Sequence, residues 1–250
     1  MSKPFHFKYF YLYDDQSTMK IGTDAVLLGA WTETGGVSRI LDAGTGCGII
    51  ALMLAQRSQS QILAIDIDSA SVEQSSRNFR ISPWKERLEA RQISIQELAL
   101  HDRSCFGLIV SNPPYFSKSL KPGNQQRKLA RHDDMLTPEE LIISVDRLLL
   151  PAGRFNVVLP STAEASFLSL ARIHNLWLEN KLTFIPIQGK RPNRILLSFS
   201  RSHSDSIKNE ILTMRNADGT HTDEFVEFTK DYYLFDPEMI RERLNTNQNA

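Results

Sequence analysis

The sequence predicts an α/β fold: a doubly wound, mostly parallel sheet of seven strands with a terminal antiparallel hairpin. Three observations predict it. Short apolar runs alternate with helical runs between Arg39 and His174. The first of them, Arg39-Ile40-Leu41, feeds three glycines at every second position, Gly44, Gly46 and Gly48, and then a helical run, Ile49 to Ala55. Later, Leu176–Ile187 and Ile195–Arg201 read as strands paired about the turn Gly189-Lys190-Arg191-Pro192-Asn193.

Each element has its own signal. Residues 5–13 alternate irregularly and carry many rings, as a strand or short hairpin arm would. Those rings either pack onto the main domain or form a base-stacking surface. Ala25 to Trp31 reads as an apolar helix with Thr23 or Asp24 as its N-cap. Gly35-Gly36 breaks the chain before the first core strand. Ile62 to Asp66 is a second buried strand ending in an acid, and Asp68 caps a helix from Ala70 to Phe79. Ser82-Pro83-Trp84 ends that helix, because proline cannot continue it. Leu88–Ile93 and Phe106–Ser111 are the third and fourth strands. Thr137-Pro138-Glu139-Glu140 combines an N-cap, a first-position proline and first-turn acids; its helix stops at Pro151-Ala152-Gly153. Arg154–Leu159 is the fifth strand, and residues 162–174 are helical.

Composition excludes several classes. Apolar residues make up 41% and charged residues 23%, ordinary for a soluble globular chain. No apolar run approaches the ~20 residues needed to span a bilayer. The first residues are aromatic and charged, with no signal-peptide core. Cys47 and Cys105 lack C-x-x-C partners, so two small buried thiols in a reducing compartment, the cytoplasm, are expected, with no metal site. Net charge is zero, which argues against gripping nucleic acid by bulk charge. The charge is uneven, however. Lys118, Lys121, Arg127, Lys128 and Arg131 fall in one window without an acid until Asp133; Lys190, Arg191 and Arg194 form a second cluster. A neutral protein with one basic face can still bind a structured polyanion.

The glycine spacing bears on the ligand. A dinucleotide fingerprint reads G-x-G-x-x-G, with a pyrophosphate at the helix N-terminus. Here Ile49 stands where its third glycine would be. Asp42 ends the strand and can hydrogen-bond the loop or a cofactor amine. Asp66, about 20 residues beyond the loop, is placed to accept from both hydroxyls of a ribose. An ordinary glycine turn and a strand-end cap are the plainer readings of the same residues.

The fourth strand delivers Asn112-Pro113-Pro114-Tyr115. Two prolines fix the backbone and remove two N–H groups. That leaves the Pro113 carbonyl and the Asn112 side-chain oxygen as acceptors, with Tyr115 as a ring platform. Such a set suits a planar amine, whose lone pair is delocalised and weakly nucleophilic. Accepting both its hydrogens localises the lone pair, so the nitrogen can attack a sulfonium methyl in line. The leaving group is then a neutral thioether, and positioning and electrostatics supply most of the rate.

Asp42-x-Gly44-x-Gly46-x-Gly48 resembles the first motif of the class I methyltransferases, which bind S-adenosylmethionine, and Asn112–Tyr115 resembles that of the amino-methyltransferases. Met19–Trp31, Ala51–Arg57, Ser82-Pro83-Trp84, Asn112–Phe116, Ala130-Arg131-His132 and Tyr232-Tyr233-Leu234 are similar to the bacterial tRNA1(Val) adenine-N6 methyltransferases, over nearly the whole chain. The resemblance implies a Rossmann-like fold and methylation of the adenosine just 3′ of the anticodon. It also implies that Lys20, Thr23 and Asp24 lie near the methionine end of the cofactor. Asp42, Gly44, Gly46, Gly48, Asp66, Ile67, Ser94, Ile95 and Asn112 complete the expected cofactor contacts. Many relatives carry Glu at the position of Asp66 and an acid at that of Ser94.

An adenine beside the anticodon must turn outward to reach such a pocket, at a cost of a few kcal/mol. Tyr115 and Phe116 would replace the lost stacking. Lys118, Lys121, Arg127, Lys128, Arg131 and His132 are candidates for stem phosphates, with Lys190, Arg191 and Arg194 as a second set. The expected partner is a tRNA anticodon stem-loop, met by a monomer away from membranes. The expected segments are an arm covering the cofactor (1–34), the core (35–202), an extension packed on it (203–242) and a disordered tail (243–250). The same chemistry on guanine N2 or a protein glutamine, a nicotinamide oxidoreductase and a non-catalytic RNA-binding module are the competing readings.

Overall fold

Strands that are apolar on both faces need helices on both sides, and the chain supplies them in alternation. The computed structural model describes residues 3–17, 20–103, 105–114, 136–203 and 206–235. An aromatic hairpin, β1 (Phe5–His6) and β2 (Tyr11–Leu12), precedes α1 (Thr23–Trp31). Then come β3 (Arg39–Ala43), α2 (Ile49–Arg57), β4 (Gln61–Asp66), α3 (Ser69–Ile81), β5 (Leu88–Gln92), α4 (Ile95–His101) and β6 (Phe106–Ser111). The second half holds α5 (Pro138–Leu148), β7 (Leu149–Pro160), α6 (Glu164–Ile173), β8 (Trp177–Ile185), β9 (Arg194–Ser200), β10 (Lys208–Thr213) and α7 (Asp223–Thr229).

The sheet order is β10-β8-β9-β7-β6-β3-β4-β5, and only β9 runs against its neighbours. Side chains alternate between two cores. Ile40, Leu108 and Val110 meet α1 and α2; Leu41, Ala43 and Ile109 meet α4, α5 and α6. The arm belongs to the first core: Phe7, Phe10 and Leu12 are fully buried, so its rings are packing residues there, while Phe5 and Tyr9 remain exposed.

Several expectations are corrected. Among the described residues the sheet has eight strands, not seven, because β10 pairs in parallel with β8 along its whole length. Its sequence, Lys-Asn-Glu-Ile-Leu-Thr, buries only Leu212, which is too little apolar signal to read as a strand. Gly22, not Thr23 or Asp24, is the N-cap of α1; Asp24 instead lies in the first turn, where a carboxylate suits the helix dipole. The third strand ends at Gln92, and Ser94 caps the short α4 by accepting from the Glu97 N–H. β7 starts at Leu149, so Pro151 lies inside a strand, where the ladder with β6 shifts register. The caps at Asp68 and Thr137 form as read, the latter as a full capping box with Glu140.

Gly48 caps α2 at φ 86°, and a Cβ there would stand 2.5 Å from Phe79 Cε1. Both the backbone and the space require glycine. Gly48→Ala is expected to lower the unfolding free energy by about 1–3 kcal/mol, read as a lower urea midpoint at unchanged slope; an unchanged midpoint would contradict this packing.

Candidate active site

The chain runs from β3 outward to β4 and β5, then crosses back to place β6 on the other side of β3. Ligands of open α/β sheets bind at such a reversal, beyond the carboxyl ends of the strands. Register sets the residues there. Ala43 pairs with both Ile65 and Ser111, and Asp66 pairs with Gln92. Gly44, Asp66 and Asn112 therefore share one edge. The Ser111 hydroxyl donates to the Ala43 carbonyl at 2.9 Å and locks the two strand ends together.

The glycine loop turns its N–H groups inward. Those of Gly44 and Thr45 both donate to the Ile65 carbonyl, that of Gly48 to Thr45, and that of Gly46 to Asp66 Oδ2 at 2.9 Å. The Ala51 N–H, in the first turn of α2, donates to Asp42 Oδ2 at 3.2 Å. A pyrophosphate site needs these donors free, so the loop is not built for a dinucleotide. What it offers is an open face: Gly44 is exposed at φ 78°, and a Cβ on it would meet nothing within 4 Å.

Asp42 is wholly buried beneath the loop. Its Oδ2 accepts from Thr45 Oγ1 at 2.7 Å as well as from Ala51, while Oδ1 has no partner among the described residues. Burial outweighs these bonds and pushes the carboxyl up to about 7. Asp66, next door, accepts from Gly46 through one oxygen and from the Asp68 N–H through the other at 3.0 Å. Its carboxyl is also raised by burial, yet each oxygen keeps a second lone pair for a diol.

Beside Asp66, Ile67 is 58% exposed and presents an apolar surface suited to a purine face. Ser94 spends one lone pair on capping α4. The Ile95 side chain is buried in the second core, which leaves its backbone to meet any ligand. Asn112 is half-buried, Pro113 buried and Pro114 exposed at the edge. Tyr115, Lys118, Lys121, Arg127, Lys128, Arg131 and His132 lie outside the described residues, as does the 243–250 tail.

The segment before α1 is fixed over the loop by residues that sequence reading missed. Asn78 accepts from the Tyr13 N–H and donates to the carbonyls of Tyr13 and Cys47, at 2.7–3.0 Å. Gln74, one turn earlier, accepts from the Gln16 N–H. Both are fully buried. Their signal was a polar stripe, Ser71-Gln74-Ser75-Asn78, on the face of α3 that should be apolar. Lys20 Nζ donates to the Asp14 carbonyl, and Asp14 Oδ2 accepts from the Ile21 N–H. Asp24 pairs with Arg194 at 2.9 Å, so Arg194 is tied to α1, whereas Lys190 and Arg191 are exposed.

A family model described as the methyltransferase small domain matches residues 17–172. Among solved structures, a protein from Agrobacterium tumefaciens described as a predicted O-methyltransferase superposes with TM-score 0.63 at 14% identity, covering 84% of this chain and 96% of that one. The ribosomal protein L11 methylase of Lactobacillus delbrueckii subsp. bulgaricus gives 0.51 at 20% identity, covering 72% and 77%. Sheet order, loop and family model together make this chain a Rossmann-like methyltransferase. The tRNA1(Val) (adenine(37)-N6)-methyltransferase of Bacteroides fragilis strain YCH46 is 42% identical over 94% of this chain and 99% of its own length. That of Pectobacterium carotovorum subsp. carotovorum strain PC1 is 39% identical over 92% and 94%. The chain belongs to the tRNA1(Val) (adenine(37)-N6)-methyltransferase family.

The state of Asp42 sets a pH dependence. A carboxyl raised from 3.8 to about 7 favours the folded chain while protonated. Its contribution is complete below the unfolded value and is lost as pH rises toward 7. Urea midpoints from pH 4 to pH 8 should therefore fall more steeply for the natural chain than for Asp42→Asn. Parallel profiles would show that Asp42 is already ionised at low pH.

Proposed function

We propose that this protein transfers the methyl group of S-adenosylmethionine to the exocyclic N6 of adenosine 37 in tRNA1(Val). The observation that carries the reading is the juxtaposition, on adjacent strand ends, of an open glycine loop clamped by two acids and an Asn-Pro-Pro sequence. Relatives about 40% identical over nearly their full length bear that activity in their names. The buried acid Asp42 beneath the loop, the spare lone pairs of Asp66 and the exposed Ile67 fit a cationic nucleoside.

When bound, S-adenosylmethionine supplies an activated methyl on a sulfonium whose departure leaves a neutral thioether. Asp66 holds the ribose hydroxyls, Gly44 lets the nucleoside approach the backbone, and Ile67 covers one face of its adenine. The ionised form of Asp42 complements the positive end. Asn112 Oδ1 and the Pro113 carbonyl accept the two N6 hydrogens of the target adenine, and Tyr115 stacks on its ring. Together they orient the nitrogen lone pair along the line of transfer. The N6 proton leaves to solvent after the bond forms. We further infer that the protein works in the cytoplasm as a monomer, with the basic residues 118–132 and the Lys190–Arg191 turn on the anticodon arm. Among the described residues no helix is long and apolar enough to cross a membrane.

Asn112→Ala should reduce kcat on a tRNA1(Val) transcript by a factor of about 10² or more, with the Kd for S-adenosylmethionine changed little. Single-turnover transfer and calorimetry on the same samples check both. Lost cofactor binding with turnover spared at saturation would assign Asn112 to the cofactor instead. A transcript carrying guanosine at the target position should accept no methyl.

A further inference from the structure

A cavity lies at the same end of the sheet, beside the glycine loop rather than in it, with Thr23 of the covering segment on its wall. It measures about 530 Å³ and is walled by Phe5, Phe225, Tyr233 and Phe235, with His6, Thr23, Arg215 and His221 among its polar members. Neither Asp42, Asp66, Asn112 nor any residue of the glycine loop lines it. Its volume falls in the range of ~300–1,000 Å³ typical of small-ligand sites.

Topology puts one wall of it beside the basic turn. The Gln188 N–H donates to the Arg215 carbonyl at 2.8 Å, and the Met214 N–H to Ile185 at 2.9 Å. The turn carrying Lys190 and Arg191 is thus laced to the segment just after β10 that carries Arg215. Asp24, adjacent to Thr23 on the cavity wall, reaches across to Arg194 at the start of β9. Arg194 in turn pairs with Pro160 at the carboxyl end of β7. Cavity, basic turn and catalytic edge therefore share one rim.

The walls have the chemistry of a base site. The Phe5 and Tyr233 rings are 6.4 Å apart, and Phe235 stands edge-on to Tyr233 at 5.7 Å. The His221 ring is held against Phe225 at 5.0 Å, and its Nδ1 is buried with no partner among the described residues. Flat apolar walls with one waiting polar atom suit a nucleobase, which brings both a π-face and an edge to hydrogen-bond. Arg215 on the wall, and Lys190 and Arg191 on the turn laced to its segment, suit the phosphates on either side of it. Of the neighbouring acids, Asp218 accepts from Thr220, and Asp223 and Glu224 occupy the first turn of α7.

We propose that this cavity is a second base pocket, taking one unstacked nucleobase of the RNA loop other than the one methylated, while Lys190, Arg191 and Arg215 hold the adjoining phosphates. The inference rests on the RNA reading above. It accounts for how a loop that must give up one base to the reaction centre stays opened: a second anchored base holds the neighbouring backbone away from its stack.

The test uses the full chain and the anticodon stem-loop of tRNA1(Val) as substrate. Each loop nucleotide except the target is made abasic in turn. One position should raise the KM of the natural chain about tenfold, the loss expected for one base–aromatic stack. Phe235→Leu, which keeps apolar bulk without the ring, should raise the KM of the intact stem-loop by a similar factor, chiefly in KM rather than kcat. It should also erase the penalty at that one abasic position and at no other. Retained S-adenosylmethionine affinity shows that the variant is folded; if it is lost, Phe5→Leu is scored in the same way. Methyl transfer with equal KM for every abasic stem-loop, or penalties that add in the variant, would overturn the pocket alone. No methyl transfer to the intact stem-loop by the natural chain would overturn the substrate reading, and the pocket with it.

Discussion

Two carboxylates at the ends of neighbouring parallel strands hold the site in place. Asp42 reaches under the glycine loop to Thr45 and to the first turn of α2; Asp66 takes the Gly46 N–H from the next strand. The loop is thereby fastened to two strands and a helix, with its N–H groups consumed and its glycine face turned out. The same bonds explain its selectivity of ligand class. A loop that has spent its donors on the Ile65 and Thr45 carbonyls and on Asp66 cannot cradle a pyrophosphate, but it leaves two acids beneath and beside an open surface, whose ionisation a cationic nucleoside would favour. Burial makes Asp42 costly to ionise without such a partner.

The covering segment depends on this clamp in turn. Asn78 joins Tyr13 to the Cys47 carbonyl, so the arm and the loop are positioned by one buried amide. The arm is anchored below by Phe7 and Phe10 in the core and beside the C-terminal rings by Phe5 and Tyr233. Elements far apart in the chain, residues 5–17 and 20–21, α3, and 213–235, thus converge on one end of the sheet. That end also carries the basic turn and the cavity walled by Phe5 and Tyr233.

Much of this was legible in the sequence because the deciding interactions are local. A strand, a glycine turn and a helix form within a dozen or so consecutive residues, and the Asn-Pro-Pro corner needs only its own backbone. The caps at Asp68 and Thr137 likewise bond N–H groups three residues away. What was not legible depends on distant partners. β10 is a strand only because β8 offers it an edge, and whereas the β8–β9 hairpin is legible from its turn, the pairing of β9 with β7 is one that no local pattern encodes. Asn78 and Gln74 look like ordinary polar helix residues until the arm is laid against them. Arg194 reads as a free cation with Lys190 and Arg191, but Asp24, far back in the chain, claims it.

The most direct measurement is methyl transfer from labelled S-adenosylmethionine into total tRNA from cells lacking this gene, followed by digestion and nucleoside separation. The account predicts label in N6-methyladenosine, confined to a single tRNA species. Label in a methylated guanosine, or no label in tRNA from a chain that binds the cofactor well, would contradict it.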